Sequence, residues 1–126
     1  MDVYNAYLTR TGSTHTDAWL MLGDNAYNSG TDSEYQVAVF DSYSALLRNT
    51  VLWSCRGNHE ADYGNDTVYT DIHHFPTAGE CGGVASNTEI YYSFDHGNIH
   101  FVCLNTSGPG DIDDFPGNGG MIDWLE

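Results

Sequence analysis

Lysine is absent from the 126-residue chain, and its permanent cations are Arg10, Arg48 and Arg56 alone. Set against 18 aspartates and glutamates, they leave a formal charge of −15. So little positive charge argues against nucleic-acid binding and against attachment to anionic membranes by charge attraction, because phosphate groups are repelled. Divalent cations are the natural partners of such a surface. The same excess is carried by proteins working in high salt, where screening weakens carboxylate repulsion. Apolar runs are short, none approaching the roughly 20 residues that span a bilayer. The opening Met1-Asp2-Val3-Tyr4-Asn5 lacks the basic-then-apolar layout of a signal peptide. The 3 cysteines, Cys55, Cys81 and Cys103, are odd in number and without CxxC spacing, so neither a zinc knuckle nor a complete disulfide framework is indicated. Internal repeats and low-complexity tracts are absent too.

What is present is a chain that should fold. With 40% hydrophobic and 13% aromatic residues it is too apolar for a disordered acidic tail, and its length suits one domain or part of one. Residues 2–10 read as a short helix. The run Ala18-Trp19-Leu20-Met21-Leu22, stopped by Gly23-Asp24-Asn25, reads as a buried strand ending in a loop. A helix capped by Asp32 or Ser33 follows, with Val37, Phe40, Leu46 and Leu47 apolar and Asn49 behind them. Residues 50–55 are again apolar and β-branched, and they run into Gly57-Asn58-His59-Glu60. Strand, loop, helix, strand, loop is a βαβ pattern whose right-handed crossover brings both loops to one edge of a parallel pair. Residues 61–87 read as a long surface excursion with a hint of helix over 67–75. Residues 89–95 and 98–105 read as two strands of a hairpin turning at His96-Gly97. Residues 108–120 read as loop and 121–126 as the start of a helix.

Two groups of residues carry chemistry. At the first strand end, in Gly23-Asp24-Asn25-Ala26-Tyr27, Asp24 offers a carboxylate able to bridge two cations, and Tyr27 can return a phenol oxygen toward the same point. Hard oxygen donors of this kind suit iron(III), manganese or zinc. At the second strand end, Asn58 offers an amide oxygen, His59 can stabilise or protonate a phosphoryl oxygen, and Glu60 can orient His59 from behind. Taken singly, the first group is better read as a strand-ending turn in which Asp24 caps the backbone, and the second as a helix cap with a solvated histidine.

Taken together, GDNAY followed after one crossover helix by GNHE resembles the second and third motif blocks of the calcineurin-like metallophosphoesterases, and the tyrosine resembles the purple acid phosphatase branch. Trp19-Leu20-Met21-Leu22 and Tyr91-Tyr92-Ser93-Phe94-Asp95 before Ile99-His100-Phe101-Val102 are also similar to strands of that family. The resemblance implies an α/β fold, part of an αββα sandwich with mixed sheets, over residues 1–126. It implies that Asp24 bridges two metal ions, iron(III) with zinc, manganese or iron(II), that Tyr27 binds the iron and Asn58 the second metal, and that His59 is the catalytic residue beside the phosphate. Glu60 is expected to support the site from outside the ligand shell. The implied reaction is hydrolysis of a phosphomonoester, in a secreted or periplasmic setting. The family's D-x-G block and its later V-x-x-H and G-H-x-H blocks have no counterpart here, so the chain is expected to be a partial domain that binds metal weakly and has little activity alone.

The rival class is a non-catalytic acidic domain binding calcium and a protein or glycan partner through Asp-rich loops; it accounts for the charge but not for both motifs. Asp111, Asp113 and Asp114 form an acidic loop of the kind that can hold calcium, but without the EF-hand ligand spacing they read as a solvated loop. An inactive chain with an interaction role is a second rival. His73-His74 is expected to be structural or solvated, and His96 and His100 are left out of the site because Gly97-Asn98 breaks their strand. Tyr91, Tyr92, Phe94 and Phe101 read as sheet packing. Cys81 and Cys103 flank the hairpin and are candidates to pair in an oxidising compartment, with the geometry left open.

Overall fold

The computed structural model describes residues 3–63, 66–107, 117 and 119–126. The acidic loop residues Asp111, Asp113 and Asp114 lie outside them. The architecture is mixed α/β. Helix α1 (Val3–Thr11) leads into β1 (Ala18–Leu22), and a helical crossover returns to β2 (Val51–Cys55), which pairs with β1 in parallel, Trp19 opposite Leu52 and Leu22 opposite Cys55. Further along, β3 (Tyr92–His96) and β4 (Ile99–Cys103) form an antiparallel hairpin, Phe94 opposite Phe101. The βαβ unit stands where the apolar runs put it; the hairpin is shorter than the reading of 89–95 and 98–105, since residues 89–91 lie outside β3 and His96 belongs to the strand, so that the turn is Gly97-Asn98.

The crossover departs from expectation. A single helix was expected from a cap at Asp32 or Ser33 through Leu47, ahead of Asn49; the segment instead splits into α2 (Asp32–Tyr35), a π-helical stretch Gln36–Asp41 and α3 (Ser44–Leu47). The break has a local cause: the Ser42 hydroxyl donates to the Val37 carbonyl at 2.8 Å, and Tyr43 leaves helical geometry (φ −121°, ψ 22°). Its ring then packs edge-on to both Tyr4 of α1 and Trp19 of β1, at 5.0 and 4.8 Å. The N-cap is Thr31, not Asp32 or Ser33: its hydroxyl accepts from the Glu34 N–H while the Glu34 carboxylate accepts from the Thr31 N–H, a capping box.

Side chains alternate along β2. Trp53 and Cys55 face the hairpin, whose own inward face is Tyr92, Phe94, Phe101 and Cys103. Trp53 stacks on Phe94 at 3.6 Å and Phe94 on Phe101 at 4.9 Å. The outer edge of β2 is closed by phenols instead of a strand: Tyr92 and Tyr69 both donate to the Ser54 carbonyl, at 2.8 and 2.6 Å, and the Ser54 N–H donates to Tyr92.

Two further expectations are corrected. The strand expected to be buried at 18–22 leaves Leu22 84% exposed, because one of its faces is uncovered by the described residues. The expected surface excursion after Ala61 is partly interior. Helix α4 (Asn58–Ala61) and α5 (Asp66–Ile72) occupy its start, and Tyr69, His73 and Phe75 are buried in the core, where Phe75 stacks on Tyr92 at 4.5 Å. Aromatic residues spaced among polar ones escaped the reading because no regular period announces them. Helix α6 (Met121–Leu125) ends the described chain.

Candidate active site

Both loops leave the C-terminal ends of parallel strands, so they meet at one rim. How closely they meet is set by two glycines. Gly23 turns the chain with φ +98°, and Asp24 follows in the left-handed region at φ +52°, a conformation that costs a non-glycine residue about 1–2 kcal/mol and concentrates at functional sites. Opposite, Gly57 lies so near that a Cβ placed on it would fall 2.1 Å from the Asp24 nitrogen and 2.3 Å from its Oδ1. Only glycine fits there.

Two glutamates organise the loop that carries Asp24 and Tyr27. Glu60 is buried, at 1% exposure, and its carboxylate accepts from four backbone N–H groups: Asp24 (3.0 Å), Asn25 (2.7 Å), Ala26 (3.1 Å) and Gly57 (2.7 Å). Glu34 does the same for the far end of that loop, accepting from the N–H groups of Asn28, Ser29 (3.1 Å) and Thr31 (2.9 Å). Those bonds, led by the one from Thr31, hold the Glu34 carboxyl down to about 2. Buried Asn25 adds a third tie, donating through Nδ2 to Ser54 Oγ (2.9 Å) and the Cys55 carbonyl (3.0 Å). The N–H groups of 24, 25, 26, 28, 29 and 31 are thus bound to two carboxylates, and the loop's shape is overdetermined.

On this frame Asp24, Tyr27 and His59 come together. Asp24 Oδ1 accepts from the His59 N–H at 3.1 Å, one peptide unit from Asn58, and Asp24 Oδ2 accepts from the Tyr27 hydroxyl at 3.1 Å. The Tyr27 and His59 rings lie 4.4 Å apart. The bond to Asp24, whose carboxylate would face a like charge, raises the Tyr27 phenol above its ordinary value. Asn58 is exposed and opens α4, with Gly57 as its N-cap. His59 Nδ1 meets the Asn28 carbonyl at 2.6 Å, and since a carbonyl can only accept, Nδ1 carries the proton and Nε2 is the acceptor nitrogen of the neutral ring.

Glu60 requires a correction. It was expected to orient His59; its oxygens instead bind the backbone of both loops, while the His59 ring is set by Asn28. The carboxylate acts as the clamp that joins the loops. Glu34 and Asn25 were missed altogether. Thr31-x-x-Glu34 was visible as a capping-box signature, whereas nothing local marks Asn25 as a cross-strand donor.

A metal-ligating role fits the donor set at Asp24 and Tyr27, a carboxylate and a phenol in mutual contact, both hard oxygens. Among the described residues no group of three or more His, Cys, Asp or Glu side chains gathers in metal-binding geometry, so Asp24 and Tyr27 alone do not complete a shell. His73 is buried among Tyr35, Tyr69 and Phe75, and His96 and His100 lie on opposite faces of the hairpin, where His100 Nδ1 pairs with Asp95 at 2.6 Å. No helix among the described residues is long and apolar enough to cross a membrane. No family model, no curated protein and no solved structure matches the chain.

Proposed function

We propose that the rim formed by Asp24, Tyr27, Asn58 and His59 is part of a dinuclear-metal phosphoesterase centre, hydrolysing phosphomonoesters, in a fold that belongs with the αββα metallophosphoesterase sandwiches. The observation that carries the reading is the clamp: one buried carboxylate, Glu60, fixes both strand-end loops so that the Asp24 carboxylate touches the Tyr27 hydroxyl and the His59 backbone at 3.1 Å each. A merely structural turn has no need to hold a carboxylate, a phenol and an imidazole together on strained backbone.

Asp24 would bridge the ions, Tyr27 would hold iron(III) and Asn58 the divalent partner, zinc, manganese or iron(II). When bound, such a pair supplies Lewis acidity and a hydroxide nucleophile at mild pH. Two coordination shells need more donors than these three residues, so little turnover is expected of this chain by itself. Tyr27 would give up its proton on binding, and the raised phenol makes that release dependent on the cation. His59, with Nδ1 anchored on Asn28, presents Nε2 as the nitrogen that accepts or returns a proton at a phosphoryl or leaving-group oxygen. Glu34, held near 2, keeps the loop's N–H groups satisfied in acid, as an acid phosphatase requires.

The test is titration of the chain with ferric iron followed by optical absorption and metal analysis. A visible tyrosinate-to-iron band that is lost in Tyr27→Phe, with metal content reduced in Asp24→Asn, is the expected result. Binding of calcium alone, or a band indifferent to Tyr27→Phe, would replace the phosphoesterase reading with the acidic calcium-binding domain.

A further inference from the structure

Cys103 was a candidate to pair with Cys81; the structure puts it against another partner. Cys55 closes β2 and Cys103 closes β4, 48 residues apart in sequence, and both point into the gap between the two sheets. Their sulfurs stand 3.0 Å apart, with the Cys103 S–H also directed at the Ser54 carbonyl at 3.6 Å. Cys81 is exposed, in a 3-10 turn beside β3, and remains a separate free thiol.

We propose that Cys55 and Cys103 form an intramolecular disulfide that staples the parallel pair to the hairpin, directly behind the loop of Asn58 and His59. The inference does not depend on any metal at that loop. Three observations carry it. The two side chains already face each other across an interface held by Trp53, Phe94 and Tyr92, so closing the bond needs a shift of about 1 Å to the ordinary sulfur separation. The pair is asymmetric in the way exchange needs, Cys55 half-buried and reachable, Cys103 buried behind it. Donation from Cys103 also favours the thiolate of Cys55, holding that thiol below its ordinary value while the same contact and burial raise Cys103, so Cys55 is the thiol that attacks first.

The oxidant is a small-molecule disulfide such as oxidised glutathione. The Cys55 thiolate attacks one of its sulfurs, forming a mixed disulfide and releasing one glutathione thiolate. Cys103 gives up its proton and attacks the Cys55 sulfur, releasing the second glutathione. The protein loses two electrons and two protons, and the oxidant becomes two thiols.

The test is to incubate the purified chain with oxidised glutathione, alkylate the remaining thiols under denaturing conditions, and map the peptides. The expected product has lost two hydrogens, carries one alkylated cysteine at Cys81, and yields a linked peptide containing Cys55 and Cys103. Its thermal midpoint should rise by on the order of 10 °C over the reduced form, as expected for a closed loop of this length. Cys81→Ser should form the same bond, which keeps the outcome independent of variants in the core. Three alkylated cysteines after incubation, a bond that includes Cys81, or a stable glutathione adduct on Cys55 would each overturn the proposal.

Discussion

The loop after β1 and the β3–β4 hairpin are held by opposite means. In the loop, two carboxylates collect six backbone N–H groups, and the side chains left at the surface are Asp24, Tyr27 and, across the rim, His59. In the hairpin, stacked rings bury Tyr92 and Phe94 on the inward face, and the outward face runs from buried Ser93 to exposed Asp95, His100 and Val102, with His100 paired to Asp95. Both regions contain the residue types from which sites are made. The first gathers a carboxylate, a phenol and an imidazole, because its N–H groups are bound by side-chain carboxylates from outside the loop, whereas the hairpin's backbone bonds run between its own two strands and its exposed histidine meets one carboxylate. Residue type therefore nominates a site, and the accounting of backbone hydrogen bonds selects it.

The sharpest way to break this contrast is to remove the clamp. Glu60→Ala leaves four N–H groups without their acceptor inside the fold, at a cost of about 3–5 kcal/mol. Urea unfolding followed by Trp fluorescence measures it, and the two loops should separate, with loss of the Asp24-to-His59 bond. Loss below about 1 kcal/mol would mean that water replaces the carboxylate and that the loops are not clamped.

The same substitution placed in both regions sharpens the contrast. Gly57→Ala drives a methyl into Asp24 and should cost about 2–3 kcal/mol while displacing the carboxylate from His59. Gly97→Ala meets nothing within 4 Å and bears only the penalty of a left-handed backbone at φ +63°, about 1 kcal/mol. Equal losses at the two positions would show that the close approach of the loops is dispensable.

Those same two regions show what a sequence discloses. Strands at 18–22 and 51–55 were legible because apolar runs end in glycine-led polar loops, and the candidate residues Asp24, Tyr27, Asn58 and His59 were legible because they sit where those runs stop. The clamp was not. Glu60 acts on residues 34 to 36 positions away, and its partners are N–H groups, which every residue has and no motif records. The break at Tyr43 escaped for a related reason: an aromatic that serves the helix pattern also serves the packing of Tyr4 and Trp19, and the tertiary contact wins over the helical period.

Acid should separate the regions by their titrating groups. Burial among Tyr35, Tyr69 and Phe75 lowers His73 below its ordinary value near 6.5. The unfolded chain takes up a proton there before the folded one does, so this contribution is full above about 6.5 and is lost as pH falls toward the lowered native value. Glu34 behaves in the other window. Its contribution is present above its ordinary 4.5 and is lost as pH falls through about 2. Urea midpoints measured from pH 8 to pH 3 should decline first through the ring-packed core, a decline that His73→Phe flattens, while the carboxylate-held loop persists. An unchanged slope in His73→Phe would assign that decline to another histidine.

The smallest effect belongs to the hairpin surface. Asp95 and His100 meet at 2.6 Å, yet both are about half exposed, where solvent and salt screen the pair and its side-chain ordering offsets much of the attraction. His100→Ala should change stability by less than about 1 kcal/mol and leave ferric iron binding at Tyr27 untouched, measured by the same absorption band. A loss of that band in His100→Ala would tie the hairpin face to the rim and erase the distinction between the two regions, since no bond among the described residues joins His100 to Asp24, Tyr27 or His59.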